Sequence, residues 1–300
     1  MANGISLWAM DNNDARRTLH LPRPEGRVAY DDAGTGPLVV MVPGMGDLRS
    51  TYDELRSALL GAGYRVVTTD LRGHGDSDAG FTTHGDEATA GDVVALVEHL
   101  AAGPAVLVGN SMGASAAAVV AADRPDLVRG LVLLAPFLRD PQLPGAVRAV
   151  MPLVYRAMLA APWGAAAWTA YYRSLNKGTR SARLDAHTTA IRASLRRPGY
   201  LRAFRDLALA LTHAPVEARV PRIQAPALAV VGALDPDWKD PAAELAWVRE
   251  AIGARGRLVE DAGHYPQHQT PEVVGEAVLA LLADVAPVAP GAPADGVAGA

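Results

Sequence analysis

The segment Gly109-Asn110-Ser111-Met112-Gly113 constrains the fold more than any other stretch of this chain, because of what stands on either side of it. Ala105-Val106-Leu107-Val108 before it is a short apolar run of strand type, and Ala114 to Val120 after it is a run of small residues suited to a tightly packed helix. Ser111 falls in the turn between them. A sharp strand-to-helix turn forces its central residue into a strained backbone conformation, and the residues two before and two after must lack side chains to avoid a clash. Gly109 and Gly113 meet that demand. Such a turn lifts the Ser111 hydroxyl above the sheet, where a base can reach it, and points the Met112 N–H at a developing oxyanion.

The same strand-then-helix pattern recurs along the chain. Leu38 to Val42 is a continuous apolar strand ended by Pro43-Gly44, a helical pattern spans about 49–62, and Tyr64 to Thr68 is the next strand. A helix near 88–100 follows, then the Ser111 strand, then Leu131 to Leu134. An antiparallel strand pair is expected before all of these, around 17–21 and 27–31. Short, fully apolar strands separated by helices predict a mostly parallel central sheet with helices on both faces, whose active site lies at the carboxyl ends of the strands. From about Phe137 to Pro221 the alternation stops and the sequence reads as helices punctuated by prolines, an inserted helical cap. Strand and helix resume at Ala227 to Val231, about 241–252, Arg257 to Val259 and about 271–282. The expected organisation is therefore a flexible arm at 1–17, a core at 18–136 and 223–284, a helical cap at 137–222 and a disordered tail at 285–300.

Half of the 300 residues are hydrophobic, enough for a sizeable core, yet no apolar run approaches the length of a membrane span. The first residues have neither a basic nor an apolar region of signal-peptide type, so a cytoplasmic location without stable membrane insertion is the expectation. The absence of Cys removes thiolate metal sites and thiol nucleophiles. A net charge of −4 carries no nucleic-acid signature, but residues 138–222 hold 13 Arg and Lys177 against four acidic residues.

A serine oxygen is a poor nucleophile at neutral pH and needs a His base, which in turn needs a carboxylate to hold its tautomer. His264 is placed for this, in the loop after the last strand and before the final helix; His268 is its rival. The spacing of His264 and His268 is that of a helical metal pair, but Pro266 interrupts the helix and no Glu follows the first His, so no metal site is expected. The carboxylate is best sought at Asp235, directly after the strand ending at Val231, with Asp237 and Asp240 as nearby alternatives.

In these motifs, in the loop Asp70-Leu71-Arg72-Gly73-His74-Gly75-Asp76-Ser77 and in Ala262-Gly263-His264, the chain resembles the α/β-hydrolase superfamily over roughly residues 26–284. The resemblance implies that Ser111 is the nucleophile, His264 the base and Asp235 the acid, and that His74 is structural rather than catalytic. It also implies an oxyanion hole formed by the backbone N–H groups of Met45 and Met112. One departure stands out: where many relatives have His-Gly after the first central strand, this chain has Pro43-Gly44, so the imidazole that normally braces the oxyanion loop is missing.

The chemistry so implied is hydrolysis of a small-molecule ester through an acyl-enzyme, with no metal or organic cofactor. The same triad would serve perhydrolase, C–C hydrolase, lactonase or acyltransferase chemistry, and a ligand receptor could retain it without turnover. Epoxide hydrolases and haloalkane dehalogenases of the superfamily carry Asp where Ser111 stands. Met151, Tyr155, Met158, Trp163, Trp168, Tyr171 and Tyr172 either line an apolar pocket or form the cap's own core. The basic excess of the cap either attracts an anionic substrate group or lipid surface, or complements the acidic remainder of the chain. Oligomeric state is not encoded in any of these features.

Overall fold

Two short strands, β1 (Leu19–Arg23) and β2 (Gly26–Ala33), pair antiparallel at one edge of the sheet. This is a computed structural model; it describes residues 17–141 and 144–288, and the expectations for 1–16 and 289–300 lie outside those residues. The apolar run Leu38–Val42 forms β3, followed by a single 3₁₀ turn at Arg49–Tyr52, helix α1 (Asp53–Gly61) and strand β4 (Arg65–Thr69). Helix α2 (Asp86–Leu100), strand β5 (Ala105–Asn110), helix α3 (Met112–Asp123) and strand β6 (Val128–Leu134) continue the alternation.

Among the described residues five helices then intervene before the next strand: α4 (Gly145–Met158), α5 (Gly164–Leu175), α6 (Leu184–Leu195), α7 (Tyr200–Ala210) and the single-turn α8 (Ala214–Glu217). The sheet resumes with β7 (Ala227–Gly232), α9 (Pro241–Ile252) and β8 (Arg255–Val259). A short helix, α10 (Pro266–Gln269), precedes α11 (Pro271–Val285). The eight strands form one sheet in the order β1-β2-β4-β3-β5-β6-β7-β8, parallel from β4 to β8 and antiparallel at the β1-β2-β4 edge. The final helix runs past the expected boundary at 284: the Ala286 N–H donates to Leu282 O at 2.8 Å, and Ala286 is buried.

Strand periodicity explains why both faces are covered. Val40 and Val42 of β3 and Leu107 of β5 join one core with α2, α3 and α9, whereas Val39, Met41, Val106 and Val108 join another with α1 and α11. The small residues of α3 are needed because that helix is enclosed: every residue from Met112 to Ala122 is buried. A third core belongs to the inserted helices, where Trp168, Tyr172 and Leu175 of α5 pack with Ile191 and Leu195 of α6 and Phe204 of α7. Tyr265, from the sheet side, is part of it. Among the described residues no helix is long and apolar enough to cross a membrane.

Candidate active site

Ser111 stands between β5 and α3 with φ 54° and ψ −122°, a conformation that a non-glycine residue adopts at a cost of about 1–3 kcal/mol. Close packing makes the flanking glycines obligatory. A Cβ on Gly109 would lie 2.3 Å from Gly113 O, and one on Gly113 would lie 2.2 Å from Val42 O. The turn is fastened from outside as well: the Ser111 N–H donates to Leu134 O at 2.9 Å, and the Asn110 amide donates to Leu134 O and His264 O, each at 3.1 Å. Asn110 therefore ties the turn to the loop that carries His264.

That loop and the end of β7 are pressed together by backbone. Leu234 N–H donates to Ala262 O at 2.9 Å, and a Cβ on Gly232 would meet Gly263 O at 2.1 Å. The result is a contact between His264 Nδ1 and Asp235 Oδ2 at 2.8 Å, with Asp237 Oδ2 3.4 Å from the same nitrogen. Asp235 is held in turn by the Asp237 N–H, which donates to Oδ1 at 3.0 Å. Asp237 is the more open of the two carboxylates and accepts from the Tyr171 hydroxyl at 3.1 Å. Asp240 caps α9 through the Ala243 N–H. Burial by itself would push the His264 imidazolium towards neutrality; the two carboxylates outweigh it and hold its pKa up at about 9.

Among the described residues, Asp235, Asp237 and His264 are also the group whose donor atoms cluster closely enough to hold a metal ion. The imidazole nitrogen in that cluster is Nδ1, the one already engaged by carboxylate, so a metal there would have to displace the Asp235 contact. His268 lies apart from it, on α10, with its ring 5.0 Å from that of His187.

The loop after β3 has a brace in place of the missing His. His74, from the Asp70 to Ser77 loop, accepts the Gly46 N–H at Nε2 (3.0 Å) while its Nδ1 faces Arg72 O at 2.8 Å, where it can only donate. The ring is therefore neutral, and burial pushes its pKa down to about 4. The inserted helices hold the same loop from the other side. Trp168 Nε1 donates to Gly46 O at 2.8 Å, the Tyr172 hydroxyl donates to Asp47 at 3.2 Å, and His187 Nε2 lies 2.6 Å from Asp47. Gly46, at φ 73°, could not carry a Cβ, which would fall 2.3 Å from the Trp168 ring. Nothing in the local sequence marks Trp168, Tyr172 or His187 for this task, since each acts across more than a hundred residues.

Met45, Ser111, Met112 and His264 all line one cavity of about 450 Å³ between the sheet and the inserted helices. Its other walls include Phe137, Met151, Tyr155, Trp168, Tyr171 and Leu175. Of the cap aromatics and methionines singled out from sequence, Tyr172 is instead wholly buried, Met158 packs on the third core and Trp163 is exposed. Part of the basic excess of the insertion is met by acids of the sheet region: Arg139 pairs with Glu244, Arg183 with Asp53, Arg219 with Asp123 and Glu87, and Arg222 with Asp123. Arg148 is the arginine that lines the cavity.

A profile described as the alpha/beta hydrolase family matches residues 39–277. Over 111 residues the chain is 42% identical to a protein of Mycobacterium tuberculosis named as a non-heme bromoperoxidase, BpoC, a stretch that is 36% of this chain and 41% of that protein. Over 118 residues it is 36% identical to sn-1-specific diacylglycerol lipase ABHD11 of Mus musculus, covering 38% of this chain and 37% of that one. The chain thus spans about two fifths of the length of these curated relatives. Among solved structures, Est816, described as an N-acyl homoserine lactone degrading enzyme, superposes with a TM-score of 0.67 at 25% identity, over 87% of this chain and 99% of that one.

Proposed function

The chain belongs to the alpha/beta hydrolase family, and from that premise we propose that it is a serine hydrolase cleaving esters of small or medium-sized, largely apolar substrates through an acyl-enzyme. The observation that carries this reading is the coincidence, on one cavity, of a strained Ser111 and a His264 whose Nδ1 is engaged by Asp235. With Nδ1 donating to the carboxylate, the neutral imidazole presents its lone pair at Nε2.

In the proposed reaction the Ser111 Oγ attacks the ester carbonyl as its proton passes to His264 Nε2. The backbone N–H groups of Met45 and Met112 receive the negative charge that builds on the carbonyl oxygen, and they are fixed before the reaction begins, which is what makes such donors effective. Collapse of the tetrahedral species breaks the bond to the alkoxy oxygen, and His264 returns the proton to the departing alcohol. Water, deprotonated by the same imidazole, then attacks the acyl carbon; the acid leaves and Ser111 is regenerated. Asp235 holds the tautomer and stabilises the imidazolium in both halves. The walls formed by Met151, Trp168 and Leu175 favour an apolar substrate.

The names of two relatives support ester chemistry, since one is a diacylglycerol lipase and the other degrades a lactone. The relative named as a bromoperoxidase favours a second use of the same acyl-enzyme, in which hydrogen peroxide replaces water and a peracid leaves. Ser111→Ala tests the primary reading: loss of both ester turnover and labelling by a fluorophosphonate probe is expected, and unchanged turnover would remove Ser111 from the mechanism. Peracid formation by the native protein with peroxide present tests the second.

A further inference from the structure

Two histidine–carboxylate pairs, not one, stand at this cavity. His213, just before α8, lines it, and its Nδ1 lies 2.8 Å from Oδ2 of Asp86 in the first turn of α2. Both residues are buried. The ring is also stacked on Phe137, with centroids 5.2 Å apart and planes 12° from parallel, and Phe137 in turn lies 5.8 Å from the ring of His264. One aromatic ring thus separates the imidazole of the proposed base from a second imidazole.

Everything around His213 fixes its orientation. Its backbone N–H donates to Asp140 Oδ1 at 2.7 Å, and the adjacent Thr212 hydroxyl donates to Asp140 Oδ2 at 2.8 Å. Ser115 Oγ lies 3.4 Å from Nδ1 and donates to Phe137 O at 2.6 Å. With Nδ1 committed to Asp86, Nε2 is the polar atom left to meet a ligand, and among the described residues it has no hydrogen bond. The contrast with His74 is direct, since that ring has both nitrogens occupied by backbone.

We propose that the His213–Asp86 pair is a second polar subsite, which binds a neutral oxygen, hydroxyl or carbonyl, that the substrate carries apart from its scissile ester. The inference rests on the ester-hydrolase reading. An imidazole backed by a carboxylate offers a lone pair at Nε2 when neutral and an N–H when charged; a hydroxyl satisfies either form and a carbonyl the second. The carboxylates of Asp86 and Asp140 beside the ring favour a neutral oxygen over an anionic group. In an otherwise largely apolar cavity, one such directional contact discriminates between substrates far better than added hydrophobic surface does.

The test compares matched aryl esters whose acyl chains end in methyl, hydroxyl, oxo or carboxylate groups, and matched alkyl esters with and without a hydroxyl on the alcohol side. In the native protein, kcat/KM for a hydroxyl- or oxo-bearing ester should exceed that of its plain partner by about tenfold or more, mainly through KM. His213→Asn can keep the Asp86 bond while offering nothing at the Nε2 position, and it should bring that ratio close to unity. His213→Gln, whose amide reaches further, should restore part of it, which a merely structural role would not do. The same pairs, offered as the corresponding acids and alcohols to Ser111→Ala protein, can be titrated by the fluorescence of Trp168 and Trp238, which stand on and beside the cavity wall. There the oxygenated ligand should bind more tightly, and His213→Asn should erase the difference. Equal treatment of plain and oxygenated partners in both assays, a ratio untouched by His213→Asn, or a preference confined to the carboxylates would overturn the subsite. Failure of the ester reading is separate: no ester turned over and no probe on Ser111, with the binding titration still deciding the role of His213.

Discussion

His74 and His264 occupy loops at the carboxyl ends of β4 and β8, and each is 2% exposed. Burial presses both towards the neutral form, yet one has a pKa of about 4 and the other about 9. The difference lies in their partners. His74 meets a peptide carbonyl and a peptide N–H, neither of which carries charge, so desolvation wins. His264 meets two carboxylates, and their attraction for a proton exceeds what burial costs. In the proposed mechanism the two loops therefore divide the work: a ring that stays neutral to accept the Gly46 N–H, and a ring that gains a proton during the reaction.

The largest effect that would sharpen this contrast is expected from His264→Ala, with kcat/KM falling on the order of ten-thousandfold. His74→Ala should cost about 10- to 100-fold, because it frees the Gly46 end of the oxyanion loop without removing a group that touches substrate. Steady-state kinetics on one ester decides; an equal loss in both variants would break the division of labour. Asp237→Asn takes away one of the charges that raise His264. The native pH profile of kcat/KM should climb towards a limb near 9, the value His264 holds, as the imidazole loses its proton. In the variant that limb should move to lower pH by on the order of one unit, because the imidazolium is then less stabilised. A limb that stays in place would mean Asp237 has no part in setting it.

The smallest effect concerns stability. His268 is buried with neither ring nitrogen partnered among the described residues, and burial pushes its pKa down to about 4. A histidine whose folded pKa lies below its unfolded value leaves stability unaffected above about 6.5 and withdraws it as pH falls from there towards 4. His74 obeys the same sign. Thermal melting temperature should therefore decline over that acidic window, and His268→Leu should reduce the decline by a few degrees. An identical slope in the variant would assign the acid sensitivity elsewhere.

What could be read along the chain were the features whose causes are local. Apolar runs such as Leu38–Val42 and Ala105–Val108 became strands buried on both faces, and Pro241, following the capping Asp240, opened α9 where turn chemistry would place it. What braces the loop after β3 could not be read in this way. The chain lacks the usual His beside Gly44, and the imidazole that does the bracing is His74, which lies 28 residues away from Gly46 in sequence. Arginines of the insertion gave two readings in the sequence, attraction of an anion or balance of an acidic core; ion pairs to Asp53, Asp123 and Glu244 favour the second for those that form them.

The sequence by itself pointed to the sheet, the enclosed small-residue helix and the turn at Ser111, because apolar runs, small residues and the paired glycines are local features; within the segment, a Cβ on Gly109 would already meet Gly113 O at 2.3 Å. It also supplied the order of Ser111, Asp235 and His264 along the chain. Only the tertiary structure decided which carboxylates face His264, what holds the loop at Met45 and which second imidazole shares the cavity. Those contacts join residues 29 to 140 positions apart, as in His264–Asp235, His213–Asp86 and His187–Asp47. Their energies depend on distance and dielectric once the helices have closed over the sheet, and no local pattern records either quantity.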